Sequence, residues 1–401
     1  MKFIKSLTIL MLVPLFTAST WAGTETVLHD FSGGSDGSVP ADIGRLARDS
    51  SGNLYGTTQG GGTCAQGTVF ELSKSGGIWT ETVLYSFCGS DGQNPVGSVI
   101  LDSSGSVYGT TKFGGGGCGT VFKLSGSTLT ILYSFTCGSD GGRPDAGVIL
   151  DKRGNLYGTT QLYGGNGGGV AYEISSSGMF RVIYSFCSVT GCADGNGPDA
   201  GLVMDSEGTI YGTTAYGGNN SCSCGTVFTL SKSGGSWMEI VLHSFAGGSN
   251  DGANPTFASL ILGTQTIGKK KKRVIFGVTM AGGLGDLGTV FRMLKSRSGY
   301  TFGLLHSFAG PDGASPFGTL TVMKSKLFGT TYGGGGYGNG TVFELIPNNK
   351  TWTESIVYSF SGGSDGGNPV SGVVADSFGN LYGVTGSGGF GQGVVYQVTP
   401  P

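Results

Sequence analysis

Aspartate is the residue type through which this sequence could most readily do chemistry. An Asp-Gly dipeptide recurs seven times, and a proline follows each of these aspartates four residues later. Calcium needs six to eight oxygen ligands, whereas each of these loops supplies one carboxylate. We therefore interpret them as turn residues, in an Asx turn whose carboxylate accepts a backbone N–H. The seven are Asp36, Asp91, Asp140, Asp194, Asp251, Asp312 and Asp365.

The aspartates that break this pattern are better candidates for a functional site. Asp145 and Asp199 directly follow the proline in two adjacent repeats, where most repeats have a small or apolar residue. Asp42 lies near the equivalent place in the first repeat, followed by Arg45 and Arg48. We predict Asp42, Asp145 and Asp199 as ligand-binding residues of a small polar or cation site. Solvated loop side chains would explain the same pattern.

Other motifs lack the context that their chemistry needs. His29, His243 and His306 each replace the tyrosine of a Tyr-Ser-Phe type of strand end, which argues against a metal or acid–base cluster. The Gly-x-Ser-x-Gly matches at 33–37 and 362–366 have no helix after them and no histidine in reach. We predict no catalytic residue, no metal and no cofactor.

A run of five basic residues at 269–273 stands out in a weakly charged chain. It falls in a predicted hairpin of the fifth repeat. We interpret the run as a solvated hairpin tip, and contact with an anionic polymer stays open as the alternative.

The amino-acid composition excludes several classes of protein. Glycine accounts for 81 of 401 residues, charged residues for 12%, and the formal net charge is −2, so we predict no nucleic-acid partner. Glycine is not at every third position, which excludes collagen. Aromatic residues make up 11% of the chain, which favours a packed core over disorder.

The first 22 residues are typical of an export signal. Lys2 and Lys5 precede an apolar run at 7–16, which is too short to span a bilayer, and small residues end at Ala22. We expect cleavage near Ala22 and a single domain over 23–401. No other run is long enough to predict a membrane span, and we expect a secreted or periplasmic monomer.

Eight cysteines follow the export signal, which favours disulfides. Cys64 precedes one predicted strand and Cys88 follows its antiparallel neighbour, so we predict that they pair. Cys118 and Cys137 have the same arrangement one repeat later, and we predict a second bridge. The other four are expected to pair among themselves in an order that stays open: Cys187, Cys192, Cys222 and Cys224.

The elements that must position these residues recur seven times. Each repeat has a Ser-Phe or Asp-Phe strand end, the Asp-Gly turn, an apolar segment, a Tyr-Gly-Thr-Thr segment and a Gly-Thr-Val-Phe segment, or variants of these. They give four short β-type segments, a to d, bounded by Gly, Asp, Asn and Ser. Four antiparallel strands in each of seven repeats predict an all-β fold, a seven-bladed β-propeller.

The chain ends predict how the ring closes. Residues 24–31 have the pattern of a d strand and residues 393–398 that of a c strand, so the N-terminal strand is expected to complete the last blade. Closure pairs the two open edges. The d–a and b–c connections then share one face, which is the ligand face by analogy with other propellers.

Together these landmarks resemble the GloVer-type (choice-of-anchor) tandem repeat proteins, an exported bacterial repeat family. The resemblance covers residues 24–398 and implies a secreted repeat protein without an established activity. The chain departs from the family pattern at Pro400 and Pro401, where no anchor follows. We therefore expect free secretion or a periplasmic location.

Two functions stay open. The first is an exported, non-catalytic scaffold that binds an unknown glycan, peptide or envelope component. The alternative is a propeller enzyme of the lactonase, lyase or glycosidase type, which needs carboxylates that converge at the channel mouth. Aromatic residues near the glycine-rich loops could stack on sugars or serve packing: Phe113, Tyr163, Tyr216, Tyr332, Tyr337 and Phe390.

Overall fold

Seven antiparallel sheets around a central axis form a β-propeller, which confirms the fold predicted from the repeats. A computed structural model describes residues 23–40, 44–267, 270–348 and 351–401. The predicted export signal lies outside the described residues. Within them the helical structure is one short 3-10 turn, Thr190–Cys192. No helix in this part of the chain is long and apolar enough to cross a membrane.

Each blade has four main strands, a to d, from the axis outward. Blade 1 has Ala47–Arg48, Leu54–Gly60, Thr68–Ser75 and Ile78–Ser86. Blade 2 has Ile100–Leu101, Val107–Thr111, Thr120–Ser125 and Thr128–Ser134. Blade 3 has Ile149–Leu150, Leu156–Thr160, Val170–Ile174 and Phe180–Ser185. Blade 4 has Val203–Met204, Ile210–Thr214, Thr226–Ser233 and Ser236–Ser244.

The last three blades follow the same order. Blade 5 has Ile261–Ile267, Lys270–Thr279, Thr289–Ser296 and Gly299–Ser307. Blade 6 has Thr321–Met323, Lys326–Gly333, Thr341–Asn348 and Thr351–Ser359. Blade 7 has Val374–Ala375, Leu381–Ser387, Val394–Thr399 and, as its d strand, Thr24–Asp30. Short extra strands before strand a are Ser38–Pro40, Gly252–Ala253 (paired with Ala281–Gly282), Ala314–Pro316 and Gly367–Pro369.

The N-terminal strand closes the ring as predicted. Thr24 lies opposite Thr399 and Asp30 lies opposite Val394 in an antiparallel ladder. The Asp30 carboxylate also accepts the backbone N–H of Phe390, at 2.8 Å. Blade 7 is therefore built from both ends of the chain.

The recurrent phenylalanines form the core between neighbouring strands. Between blades 1 and 2, Phe87 is fully buried and its ring meets that of Phe122 edge to face, with centroids 5.2 Å apart. Gly109, in the Tyr-Gly-Thr-Thr segment, lies against the Phe122 ring, where a Cβ would come within 2.7 Å of it. Burial of one such ring stabilises the fold by about 1.5–3 kcal/mol. The repeat of Phe and Gly thus fixes the spacing of the strands.

The a strands surround a central channel of about 760 Å³. Their backbones approach so closely at one level that a Cβ on Gly147 would overlap the carbonyl oxygen of Ser98 in the preceding blade. Gly372 is in the same situation against the carbonyl oxygen of Thr319. These glycines allow seven strands to meet around a narrow axis.

Candidate functional site

Asp145 and Asp199 lie at the start of adjacent blades 3 and 4, and their carboxylates interact electrostatically. Both are buried, with exposed fractions of 1% and 2%. The Oδ1 atom of each has no hydrogen-bond partner among the described residues. The structure therefore brings together two of the three predicted site residues, while Asp42 lies outside the part of the chain it describes.

Basic side chains accompany this pair. The Nζ atom of Lys112 lies 3.4 Å from Oδ1 of Asp145, and Nη2 of Arg143 lies 3.8 Å from its Oδ2. Because the two cations offset the charge of the two carboxylates, the cluster has little net negative charge with which to attract a divalent cation.

Sequence reasoning missed the partners of both aspartates. Lys112 and Gln161 each follow the last threonine of strand b, and the Gln161 side chain acts to lower the pKa of Asp199. The residue after the last threonine of strand b therefore lies opposite the residue that follows the proline of the next blade, as Lys112 lies opposite Asp145. The sequence signal for such partners is that the residue after the Tyr-Gly-Thr-Thr segment of one repeat pairs with the residue after the proline of the next repeat.

Burial raises the pKa of both carboxyls. For Asp145, the charges of Lys112 and Arg143 oppose the effect of burial. The pKa of Asp199 rises to about 7, because burial and the charge of Asp145 outweigh its hydrogen bonds, which include one from the Phe257 N–H. We assign the negative charge to Asp145, since both cations contact it. Near neutral pH Asp199 is therefore partly protonated.

The aspartates of the Asp-Gly turns are structural, as predicted. Asp91 accepts the backbone N–H of Cys88 at 2.8 Å and the hydroxyl of Tyr85 at 2.5 Å. In every blade junction the aspartate accepts an N–H that precedes it in sequence, whereas in an Asx turn the accepted N–H follows; Asp251 also accepts the N–H of the next residue, Gly252. The predicted Asx geometry is therefore wrong here, because the carboxylate reaches back to the end of strand d. True Asx turns occur in the a–b hairpins, as at Asp102, which accepts the Ser104 N–H at 2.8 Å.

The three histidines take the place of tyrosine in these junctions. His243 and His306 contact Asp251 and Asp312 through Nε2 at 3.1 and 2.9 Å, and His29 lies 3.5 Å from Asp36. Each imidazole thus occupies the position of the Tyr85 hydroxyl.

One junction groups three residues of metal-ligating type. Ligand atoms of His306, Asp312 and Glu354 lie within 4.8 Å of one another, the one group of this kind in the described residues. The His306–Asp312 contact repeats that of the tyrosine junctions, so the group has a structural explanation without a metal.

Glutamates on four d strands have partly buried carboxyl groups. Burial raises their pKa to about 7, and the charge of a junction aspartate adds to the effect. The Oε1 atom of each has no hydrogen-bond partner among the described residues. These glutamates are Glu25, Glu81, Glu239 and Glu354.

The basic run forms part of a β-hairpin arm. Residues Lys270 to Arg273 extend strand b of blade 5, and Lys269 lies outside the described residues. Arg273 forms ion pairs with Glu207 and, at 3.6 Å, with Asp205 of blade 4. Arg273 is exposed, as predicted for the run, and in addition it links two blades.

Four disulfides lie in the loops of the Asp-Gly face. The two predicted bridges, Cys64–Cys88 and Cys118–Cys137, are present. The remaining cysteines pair locally as Cys187–Cys192 and Cys222–Cys224. Disulfides of this number indicate an oxidising environment outside the cytoplasm. All four lie between strand b of blade 1 and strand c of blade 4, and they constrain that arc of the face.

Aromatic side chains are exposed mainly on this same face. Six large aromatic side chains of the described residues are exposed: four lie in b–c loops, Tyr332 lies at the end of strand b of blade 6 beside such a loop, and Phe378 lies in an a–b hairpin on the opposite face. Phe113 is half-buried, and its ring centroid lies 5.7 Å from the Arg143 guanidinium. The four in b–c loops are Tyr163, Tyr216, Tyr337 and Phe390.

The fold and its repeated landmarks define a tandem-repeat β-propeller. The chain belongs to the Gloeobacter/Verrucomicrobia repeat family, whose model matches residues 14–222, 116–268 and 225–401. The resemblance drawn from the sequence is thereby confirmed. A search of curated proteins found no match.

Solved structures show similarity at the level of the fold. An ancestral GH74 enzyme is 12% identical with a TM-score of 0.55, over 91% of this chain and 49% of that one, so the chain spans about half of its length. The extracellular domain of a hybrid two-component system from B. thetaiotaomicron is 10% identical with a TM-score of 0.50, over 93% and 39%. A PQQ-bound aldose sugar dehydrogenase from Streptomyces coelicolor is 13% identical with a TM-score of 0.44, over 94% and 98%.

Proposed function

We propose that the protein is an exported, non-catalytic propeller that binds a glycan on its Asp-Gly face. The export signal at 1–22, cleaved near Ala22, would deliver the chain to the periplasm or the exterior, where its disulfides are stable. The aromatic bias of one face is the observation that carries the proposal. Five exposed rings lie there and one lies on the other face.

Exposed tyrosine rings suit carbohydrate binding for a physical reason. A pyranose ring has an apolar face that packs on an aromatic ring, and a tyrosine hydroxyl can hydrogen-bond to its rim. The rings of Tyr163 and Tyr216 project from consecutive blades and lie beside Gly142 and Gly197, which shortly precede Asp145 and Asp199 in sequence. The disulfides of this arc limit the conformational entropy that its loops lose on binding.

Sedimentation with cellulose, chitin and peptidoglycan sacculi tests this proposal. The wild-type protein should bind at least one of the three. Replacing Tyr163, Tyr216 and Tyr337 together by alanine should weaken that binding by about tenfold or more, because each stacked ring contributes about 0.5–1.5 kcal/mol.

The matched control is Phe378→Ala, which removes an exposed ring from the opposite face. It should leave the binding unchanged. The proposal fails if none of the polysaccharides is retained, or if Phe378→Ala weakens binding as much as the triple substitution.

The enzyme alternative has one supporting observation, the convergence of Asp145 and Asp199 with a raised pKa at Asp199. A protonated carboxyl beside an ionised one is the arrangement of a general acid and its partner. Their exposed fractions of 1% and 2% give a substrate no access, which is why binding is the proposal. Release of reducing sugar from a bound polysaccharide, abolished by Asp199→Asn, would favour the enzyme instead.

A further inference from the structure

The central channel forms a cup that opens between the a–b hairpins, on the face opposite the exposed aromatic rings. Its walls run along the a strands of all seven blades as far as the hairpins. Towards the Asp-Gly face, the rings of Phe257 and Phe317 stack with centroids 4.9 Å apart, and Val96 and Ala146 pack against Phe257. The volume of about 760 Å³ is within the usual range for small-molecule sites.

The walls of this channel combine polar and apolar surface in about equal parts. Nine apolar side chains from six blades line the part nearest the hairpins. An apolar group placed there loses contact with water and gains dispersion contacts on several sides. The lining includes Ile100, Leu101, Ile149, Val203, Met204, Ile261, Leu262, Val322 and Val374.

One cation lies at the narrow level of the channel. Arg45 occupies a position at which the other six blades have only small residues, and its backbone is held by a bridge to Gly372 of blade 7. Its Nη1 atom lies 3.4 Å from Oγ1 of Thr321 in blade 6, so the side chain extends past blade 7. The small residues at the equivalent positions are Ser98, Gly147, Gly201, Ser259, Thr319 and Gly372.

The Arg45 guanidinium has no carboxylate partner within 4 Å among the described residues. Its side chain is accessible from the channel, yet the surrounding walls exclude enough water that burial lowers its pKa. Five N–H donors on a planar fork match the two oxygens of a carboxylate. A partly desolvated guanidinium with one long hydrogen bond therefore has free capacity for an anion.

We propose that the channel binds an aliphatic carboxylate, with the carboxylate at Arg45 and the alkyl chain along the a-strand walls towards the hairpin face. This ligand class follows from the Arg45 cation at the narrow level of a channel whose hairpin end carries aliphatic side chains; Arg48, the other arginine of the lining, lies three residues later, on strand a of blade 1. The site is on the opposite side of the ring from the proposed glycan surface and does not depend on it.

Displacement of the fluorescent apolar anion anilinonaphthalene sulfonate by decanoate tests the site in the full mature chain. Decanoate should bind the wild-type protein about tenfold or more tightly than decanol, which has the same chain without the charge, and acetate should not displace the probe. Equal affinity for decanoate and decanol would overturn the proposal, and this comparison needs no variant.

Arg45→Met keeps the length of the side chain and removes its charge. Its affinity for decanoate should fall about tenfold or more, to the level of decanol. Arg153→Met is the matched control, because Arg153 is an exposed arginine on an a–b hairpin of the same face, outside the channel lining. Unchanged decanoate affinity in Arg45→Met would overturn the proposal, as would its loss in the triple tyrosine variant of the opposite face.

Discussion

The pair formed by Asp145 and Asp199 shows how one repeat position can change its chemistry between blades. The same position holds valine in blade 2 and phenylalanine in blade 6, where it packs against apolar neighbours. In blades 3 and 4 it holds carboxylates, and Lys112 and Gln161 supply the complementary partners. The scaffold therefore tolerates either an apolar or a polar junction at this level of the ring.

Asp199→Asn should stabilise the protein, and more at pH 8 than at pH 5. The pKa of Asp199 is raised from its usual value to about 7 in the folded state, so folding is disfavoured increasingly as pH rises towards 7. Asparagine keeps the shape and can still accept the Phe257 N–H. We expect Tm to rise by about 2 °C or more at pH 8, measured by thermal unfolding at both pH values.

Asp140→Asn should change the stability of the protein in the opposite direction to Asp199→Asn. Hydrogen bonds from the Thr136 hydroxyl and backbone N–H and from Tyr133 outweigh the effect of burial and lower the pKa of Asp140, so its stabilisation is present at neutral pH and is lost as pH falls below its usual value. This variant should be less stable than wild type at pH 8. Stabilisation of both variants, or of neither, would contradict the assignment of the raised pKa to Asp199.

At the residue scale, the sequence predicted Asp145 and Asp199 because they depart from a pattern that the chain itself repeats. It did not predict Lys112 or Arg143, because pairing between blades depends on which loop positions face one another across a junction. The direction of the Asp-Gly turns was also hidden, since the carboxylate of Asp91 can reach N–H groups before or after it. Only the path of the chain after strand d decides between them.

At the element scale, the a strands are defined by packing around the axis. They have two or three residues in six blades, and their ladders alone are too short to hold them in place. Threonine side chains of strand b tie them to neighbouring blades, as where the Thr110 hydroxyl donates to the Ala146 carbonyl at 2.9 Å. Glycine at the axial level then permits the close approach of their backbones.

Gly147→Ala should destabilise the protein by about 1–3 kcal/mol or more, because the added Cβ would overlap the carbonyl oxygen of Ser98. Denaturant unfolding measures this change. Gly303→Ala is the matched control, since a Cβ there meets nothing within 4 Å and strand d of blade 5 has ordinary backbone angles. It should be neutral or stabilising by about 0.5–1 kcal/mol. A neutral Gly147→Ala would show that the a strands can move apart freely.

The repeats predicted the number of strands and their order because strands b, c and d have long apolar patterns bounded by turns. The lengths of the a strands could not be predicted in the same way. The segment of five residues that contains Ile100 and Leu101 has a strand-like sequence, but only two of its residues pair in the ladder. The other three residues of the segment do not pair, because neighbouring blades approach one another near the axis.

At the scale of the whole molecule, four glutamates at blade junctions connect stability to pH. Their pKa is raised from 4.5 to about 7, so the folded state holds protons that the unfolded chain releases between these values. Stability should therefore fall as pH rises through this range. The lowered pKa of His29 and of His306 acts in the opposite direction below pH 6.5.

Glutamine at all four positions should reduce the loss of stability between pH 5 and pH 8, because an amide does not ionise. Thermal unfolding across this range measures the slope. Glu207→Gln is the matched control, since Glu207 is exposed and Arg273 lowers its pKa. It should leave the slope of stability against pH between 5 and 8 unchanged. An unchanged slope in the fourfold variant would exclude the junction glutamates as its source.

The closing strand sets an order of events as the protein folds. Thr24–Asp30 is the earliest strand of the described chain, yet its partner is Val394–Thr399, more than 360 residues later. Blades 1 to 6 consist of consecutive segments and can form as each becomes available, whereas the ladder of blade 7 must wait for the last one. Until then one strand at each end of the growing ring keeps an unpaired edge. The time between making the first strand and making the last is thus the period in which the molecule is most exposed to pairing with the wrong partner.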